Sequence, residues 1–322
     1  MKLQNVTIPK DTVQTWIDTM FPNYDVFFFP SNDEAILDLF GHNMLLISKN
    51  EFNNNTSLSD LDTINIYETW KVKNDFTHVC IVHPDVLANI DNHKLTQILI
   101  MQKEANRGLI FEWDLVLSVL DNIKSNDLKG SILDILSPYK FEYQSNYFFA
   151  IQKALWHNLH CEFKVQFLQR IADMHVDLVE ISDEQLNEFR INHPHIARFF
   201  NTFSPTNGAN CLAATLAAVS EDKVDTDWMI SKWLHDVGFL NGMQLNHYSQ
   251  NSSSLNDLIP KDVVVWKSES GTILHACYYL GNEYFFNKNG QSIFNPWQIV
   301  SIKNLNENWG KERIEVYRRV ES

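Results

Sequence analysis

The stretch "ILHACYYLGNEYFFNKNG", residues 273–290, decides the fold of the C-terminal part of the chain. Tyrosine and phenylalanine residues flank Gly281-Asn282 on both sides, a pattern typical of two β-strands joined around a turn. Two polar residues interrupt the aromatic pattern, His275 in the first strand and Asn287 in the second. The sequence therefore predicts a hairpin that carries an imidazole and an amide.

The segments before and after this hairpin predict further strands of the same sheet and helices that pack on it. "DVVVWK" (262–267) and "RIEVYRRV" (313–320) also have the composition of strands. "CLAATLAAVS" (211–220) is alanine-rich and favours a helix, and a second helix is predicted over 225–239. We therefore expect an α+β fold, in which the helix that begins at Cys211 packs on an antiparallel sheet.

The length of 322 residues favours more than one domain. Residues 1–84 mix helix and strand patterns and are predicted to form an α/β region. Residues 85–199 have apolar residues at helical spacing, which predicts packed helices, in one domain with 1–84 or apart from it. The loop-forming stretch "NTFSPTNGANC" then leads into a third region, 200–322, to which the hairpin belongs.

The face on which each polar side chain of the hairpin lies depends on the turn. A two-residue turn at Gly281-Asn282 puts His275 opposite Lys288 and directs Asn287 to the other face. A three-residue connection, or a bulge, places His275 directly across from Asn287. Lysine cannot accept the imidazole N–H. A paired role for the histidine and the asparagine therefore predicts the longer or bulged connection.

Cys211 stands where a reactive thiol is expected, at the start of a predicted helix and after an Asn/Gly loop. Unpaired N–H groups and the helix dipole lower the pKa of a thiol at such a position. A thiol nucleophile also needs an imidazole to take its proton and a polar group to hold that imidazole. His275 is the candidate base, Asn287 the candidate orienting group, and Gln291 the alternative orienting group.

Together these residues resemble the bacterial papain-like peptidases of the NlpC type. The segment "PKDVVVW", which begins at Pro260, is similar to the Pro-x-Asp strand of that family. "HACYYLGN", which begins at His275, is similar to its His-x-x-x-Tyr-apolar-Gly strand. Asn287 falls where the third member of the family's triad lies, and as an asparagine it is closer to the Cys-His-Asn arrangement of papain. The resemblance covers residues 200–322.

The resemblance implies a papain-like domain and a cysteine hydrolase that cleaves an amide bond in a peptide or a cell-wall-derived peptide. Cys211, His275 and Asn287 would act through a thioester intermediate, with no cofactor. The Cys211 N–H, with a side chain of the preceding loop, Asn207 or Asn210, is expected to stabilise the oxyanion. Two alternatives stay open: a cysteine acyltransferase with the same residues, and a binding protein on a catalytically retired papain-like scaffold.

The composition indicates which classes of partner and which compartment to expect. The 40 Asp and Glu residues outnumber the 26 Lys and Arg residues, for a net charge of −14 without a basic stripe, so nucleic acid is not an expected partner. The first residues lack an apolar leader, and no apolar run reaches about 18 residues, so neither secretion nor a membrane span is expected. Four cysteines without a CxxC pair favour a reduced, cytoplasmic compartment. The oligomeric state stays open.

Histidines occur singly at His78, His83 and His93 and in two short clusters, "HNLHC" (157–161) and "HPH" (193–195). An HxxH pair on a helix puts two potential zinc ligands on one face, but the HExxH glutamate and a second matching cluster are lacking. Solvated or helix-capping histidines explain these residues more simply. No metal site is predicted.

Overall fold

The computed structural model describes residues 2–3, 6–30 and 33–320. Its α-helices are α1 Lys10–Thr19, α2 Asp33–Phe40, α3 Lys49–Asn54, α4 Leu61–Ile66, α5 Pro84–Ala88, α6 Asn92–Glu104, α7 Trp113–Asp121, α8 Asn126–Leu136, α9 Lys153–Asn158, α10 Cys161–Asp173, α11 Asp183–Asn192, α12 Cys211–Ser220, α13 Lys223–Met229, α14 Asp236–Leu245 and α15 Ile302–Trp309. Its strands are β1 Lys2–Leu3, β2 Val6–Thr7, β3 Asp25–Phe29, β4 Met44–Ser48, β5 His78–Val82, β6 Ile110–Glu112, β7 Lys140–Tyr143, β8 Asn146–Ala150, β9 Tyr248–Asn251, β10 Val263–Lys267, β11 Ile273–Gly281, β12 Tyr284–Asn287, β13 Gln298–Ser301 and β14 Arg313–Arg319. The fold is mixed α and β with antiparallel sheets, which confirms the predicted class.

The chain divides into two compact units, one of residues 1–15 with 171–322 and the other of residues 16–170. This division differs from the predicted boundaries after residues 84 and 199. Residues 171–199 belong with the C-terminal sheet because Phe189 enters its core. The Tyr284 hydroxyl also donates a hydrogen bond to the Glu180 carbonyl at 2.6 Å. Of the helices in the described ranges, none has both the length and the apolar character that crossing a membrane requires.

The unit of residues 16–170 contains two three-stranded antiparallel sheets, with strand orders β3-β5-β4 and β6-β8-β7. Every residue of β3 is buried, and Phe27 and Phe29 pack with Phe40 of α2. The second sheet lies inside segment 85–199, so the prediction of packed helices there is incomplete. Its central strand β8, "NYFFA", is aromatic, and aromatic residues favour strands.

The other unit is built on a six-stranded antiparallel sheet with strand order β13-β12-β11-β10-β14-β9. Side chains alternate between its two faces, as the two-residue period of a strand requires. Val263 and Val265 face the core that contains α12, whereas Val264 and Trp266 face the core that contains α15. The predicted strands β10, β11, β12 and β14 and the predicted helix α12 are confirmed. Strand β9 has the polar sequence "YSQN" and is not among the predicted strands.

The hairpin of β11 and β12 has neither of the two registers that the sequence suggests. Its turn is Asn282-Glu283, both residues having positive φ, and the register shifts by a bulge between Tyr279 and Gly281. Tyr279 consequently pairs with Phe285. The bulge is as predicted, but the direct pairing of His275 with Asn287 is wrong. The two residues still share a face, as diagonal neighbours.

Candidate active site

Helix α12 begins at Cys211 because the residue before it is an N-cap. The Asn210 Oδ1 accepts a hydrogen bond from the Ala213 N–H at 3.0 Å. Cys211 is therefore the first helical residue, where backbone N–H groups have no partner within the helix. Its side chain is half-buried and packs against the core beneath α12. The predicted placement of the cysteine at a helix start is confirmed.

The turn between α13 and α14 connects the start of α12 with the start of β11. The Asn210 Nδ2 donates to the Leu234 carbonyl at 2.8 Å, and the Asp236 carboxylate accepts from the Ile273 N–H at 2.9 Å. These bonds fix the break between α13 and α14, so the single helix predicted over 225–239 is wrong. One turn thereby positions both the residue before the cysteine and the strand that carries the histidine.

His275 and Asn287 form a buried hydrogen bond. The His275 Nε2 and the Asn287 Oδ1 are 2.7 Å apart, and each residue is at most 2% exposed. The Asn287 Nδ2 donates to the Asn289 Oδ1 at 2.8 Å, and the Asn289 Nδ2 donates to the Asp177 carboxylate at 2.7 Å. A chain of polar groups therefore leads from the imidazole to Asp177.

This chain of hydrogen bonds assigns the imidazole tautomer. Since the Asn287 amide nitrogen donates to Asn289, its Oδ1 is the acceptor that faces His275. The His275 Nε2 must therefore carry the proton, and Nδ1 carries the lone pair. The nitrogen that remains available to take a proton is Nδ1, which is the arrangement that a general base requires.

Two tryptophans enclose the imidazole. The Trp309 ring is stacked on it, with centroids 4.7 Å apart and planes inclined by 6°, and the Trp266 ring lies at 5.6 Å. Burial lowers the pKa of His275 from 6.5 to about 4, and the hydrogen bond with Asn287 opposes this shift. The resting imidazole is thus neutral at physiological pH.

The Cys211 thiol is also neutral at rest. Burial raises its pKa to about 11, and the N–H groups of Ala276 and Leu212 and the charge of Lys288 oppose the rise. Ala276 is the residue after His275, and Lys288 is the residue after Asn287. The groups that act on the thiol thus belong to the residues that directly follow the histidine and the asparagine in the chain. The side chain of Ala276 faces the α12 core, whereas that of Cys277 faces the α15 core.

The thiol and the imidazole do not form a hydrogen bond to each other among the interactions of the described residues. His275 lies on the face of β11 that it shares with Cys277, and Cys211 approaches the strand from the face of Ala276. The structure therefore brings together the predicted base and orienting group, and it places the predicted nucleophile at the neighbouring backbone N–H. Catalytic hydrogen bonds are often long in the free enzyme and tighten with substrate.

The other predicted site residues hold loops. The Asn207 Oδ1 accepts from the Ile293 N–H at 2.9 Å, and the Gln291 carbonyl accepts from the Gly208 N–H at 2.8 Å. Asn210 bonds to the backbone at both ends of its amide. The imidazole therefore takes Asn287 as its partner and not Gln291. The Cys211 N–H interacts with its own thiol, and its role as an oxyanion donor stays a prediction.

Asp262, the acid of the Pro-x-Asp motif, connects strands and does not enter the site. It is 1% exposed, and the Arg318 guanidinium donates to its two oxygens at 2.8 and 2.7 Å. The Ile259 N–H donates to it at 2.9 Å. This bidentate pair joins β10 to β14 and so supports the sheet from which the histidine projects.

Two residues beside the site were not predicted to have a role, Lys288 and Trp309. The sequence shows Lys288 next to Asn287, but the register that decides its direction depends on the bulge. Trp309 ends α15, a helix that is not among the predicted elements. Within the described ranges, no three or more His, Cys, Asp or Glu side chains converge as metal ligands do.

A scan against protein-family models found no match, and neither did searches of curated proteins and of solved structures. The resemblance to the NlpC-type peptidases thus rests on the sequence motifs alone.

Proposed function

We propose that the unit of residues 1–15 and 171–322 is a papain-like cysteine hydrolase that cleaves an amide bond in a peptide or a cell-wall-derived peptide. The observation that carries the proposal is the 2.7 Å bond between His275 Nε2 and Asn287 Oδ1, buried beneath Trp309. It leaves His275 Nδ1 as the free base. The thiol of Cys211, at a helix start beside the next residue of the same strand, is the nucleophile.

The reaction begins with a neutral pair. As the Cys211 sulfur attacks the carbonyl carbon, its proton passes to His275 Nδ1, and the carbonyl π electrons become the oxyanion. The Cys211 N–H at the start of α12 donates to that oxyanion. The imidazolium then returns the proton to the leaving nitrogen as the C–N bond breaks, which releases an amine and leaves a thioester.

Water completes the cycle. His275 Nδ1 takes a proton from water as its oxygen attacks the thioester, and the same proton returns to the sulfur when the C–S bond breaks. Asn287 accepts the Nε2 hydrogen throughout, so the imidazole stays in one orientation. Within this mechanism Asn287 is a positioning residue. The peptide substrate class comes from the family resemblance and is part of the proposal.

Cysteine labelling tests the nucleophile. We expect iodoacetamide near neutral pH to modify Cys211 in preference to the buried Cys80 and Cys277, with the exposed Cys161 as the reference for an ordinary thiol. Peptide mapping by mass spectrometry reads each site separately. Labelling of Cys211 that is no faster than that of the buried Cys80 and Cys277, at pH 7 and without added peptide, would contradict the proposal.

Product analysis tests the reaction. Wild-type protein is incubated with a library of peptides and of cell-wall muropeptides, and cleavage is followed by liquid chromatography and mass spectrometry. We expect activity that Cys211→Ala abolishes and Cys161→Ala retains. Transfer of the acyl group to an added amine, in preference to water, would instead identify the acyltransferase. Absence of any turnover with a folded protein would favour the retired scaffold.

A further inference from the structure

Lys288 is a buried cation without an anionic partner. It is 1% exposed, and its Nζ donates to the carbonyls of Ser292 at 3.1 Å and Asn295 at 2.5 Å. The ring of Trp297 lies 5.8 Å from the ammonium. Across the described residues, no carboxylate lies within ion-pair distance of it. Because removing an ammonium from water costs free energy that two carbonyls offset only in part, this burial calls for a role.

The ammonium lies on the same side of the sheet as Cys211. Lys288 directly follows β12, where Phe286 faces the α12 core and Asn287 faces away from it, so the lysine side chain projects to the side of α12. The loop that it holds is tied to the loop before the cysteine by the Gly208 N–H and the Gln291 carbonyl, 2.8 Å apart. The charge of Lys288 acts on the thiol, and the thiol is the titratable group that acts back on Lys288.

Holding the loop does not by itself require a charge. An uncharged donor would satisfy the carbonyls of Ser292 and Asn295 at a smaller desolvation cost. A cation at this place has an effect that no neutral group supplies, since it favours a negative charge on a neighbouring sulfur. His275 is neutral at rest and has its own partner, so it does not provide that charge.

We propose that Lys288 is a positioning residue of the candidate site, whose ammonium, held by the Ser292 and Asn295 carbonyls, stabilises the thiolate of Cys211 relative to the thiol. The inference rests on the proposed function, because it assumes that Cys211 is the nucleophile. It adds a residue outside the Cys-His-Asn set. The lysine acts on the sulfur and need not touch the substrate.

Other titratable groups near the thiol could also change its labelling with pH, so the experiment must separate their effect from that of Lys288. They are Cys277, which interacts with the Cys211 thiol, and His275, which lies two residues before it on β11. Burial raises the pKa of Cys277 well above its usual value, so it does not titrate near neutral pH. Burial lowers the pKa of Lys288 from 10.5 to about 7, so its charge weakens as the pH rises through neutrality unless a thiolate retains it.

The test is the rate of Cys211 alkylation by iodoacetamide, measured at each pH between 6 and 10 on the full chain. Burial raises the pKa of the thiol to about 11, so the thiolate is a minor fraction throughout this range and the rate reports its amount. Lys288→Met is expected to lower this rate about tenfold at pH 6 to 7, where the lysine is charged, as loss of a neighbouring cation does. Lys288→Arg retains a charge at every pH in this range, so its rate is expected at or above that of the wild type. Cys161, which is exposed, is the internal reference and should not change.

Two results would overturn the proposal. One is a Lys288→Met protein with a wild-type thermal midpoint and an unchanged Cys211 profile, which would leave the lysine a loop anchor only. The other is an alkylation rate of Cys211 in Lys288→Arg below that of the wild type across the pH range, which a retained cation cannot produce. This variant decides the matter if the methionine variant does not fold. The labelling profile is independent of turnover, so failure to hydrolyse any peptide would count against the proposed function and not against this charge effect.

Discussion

The indole of Trp309 lies flat on the imidazole of His275, with ring centroids 4.7 Å apart and planes 6° from parallel. Trp309 is the last residue of α15, and His275 is on the face of β11 that this helix covers. The stacked ring keeps water from one side of the His275–Asn287 hydrogen bond. In a site without water, that bond orients the imidazole more strongly than it would in solvent.

Trp309→Ala should admit water to the imidazole and raise its pKa from about 4 toward the ordinary value of 6.5. The stack is worth about 1 kcal/mol, so we expect kcat/KM to fall roughly five- to tenfold, while Trp309→Phe retains most of the activity. Histidine NMR titration measures the pKa. Trp228→Ala removes a tryptophan that is 60% exposed and should change neither quantity. An unchanged His275 pKa in Trp309→Ala would show that the ring does not shield it.

Asn287→Ala leaves the His275 Nε2–H buried without an acceptor. We expect a loss of about 1 to 3 kcal/mol of unfolding free energy. We also expect kcat to fall about 10²-fold, because the free base is no longer held in one tautomer and orientation. Asn289→Ala is the matched control, since it removes a partner of Asn287 and keeps the bond to the imidazole. Equal losses of kcat in the two variants would argue against a specific orienting role.

The depressed pKa of His275 makes the stability of its unit depend on pH. The unfolded chain binds a proton near pH 6.5, whereas the folded chain binds it near pH 4, so stability is fully present above pH 6.5 and is lost as the pH falls toward 4. The group is buried, and the full difference is worth about 3 kcal/mol. His193, whose pKa burial also lowers to about 4, adds a similar fall.

Urea unfolding between pH 4 and 7.5 measures this dependence. His275→Gln should flatten part of the fall below pH 6.5, and the double variant with His193→Gln should flatten more of it. His83→Gln, at a side chain that is 67% exposed, should leave the wild-type slope intact. A slope that His275→Gln does not change would mean that the imidazole is solvated in the folded protein.

The sequence predicted the parts of the site that depend on local pattern. Runs of β-branched and aromatic residues predicted β10 and β11, and the Asn/Gly loop before an alanine-rich run predicted the helix start at Cys211. The register of the hairpin could not be predicted in this way, because it depends on the φ angles of the turn residues. Gly281-Asn282 resembles a two-residue turn, but the turn forms one residue later and Gly281, at φ 112°, enters the bulge. The direction of Lys288 follows from that bulge, which no periodicity reveals.

Features that depend on contacts between distant parts of the chain could also not be predicted from the local sequence pattern. Strand β9 has a polar sequence, "YSQN", and becomes a strand because it pairs with β14 at the edge of the sheet. Tyr248 is its buried residue. The helical spacing of residues 171–199 predicts a helical region. Only contacts such as that of Phe189 with the C-terminal core show which unit these residues join.

Gly281→Ala tests whether the bulge positions the catalytic pair. The nearest atom to an added Cβ is the Pro260 Cγ at 3.5 Å, an ordinary contact, so the penalty comes from the positive φ. Gly271, at φ 88° with open space around it, is the matched control, and each alanine should cost about 1 to 2 kcal/mol of stability. If the hairpin relieves the strain by losing its bulge, Asn287 turns to the other face of the sheet.

We therefore expect Gly281→Ala to lose activity and to raise the His275 pKa, measured by NMR, whereas Gly271→Ala loses stability alone. The comparison separates register from stability, because the two variants carry the same kind of backbone strain and only one of them lies between the imidazole and its partner. Parallel losses of activity in the two proteins, in proportion to their stabilities, would refute a special role of the bulge in joining His275 to Asn287.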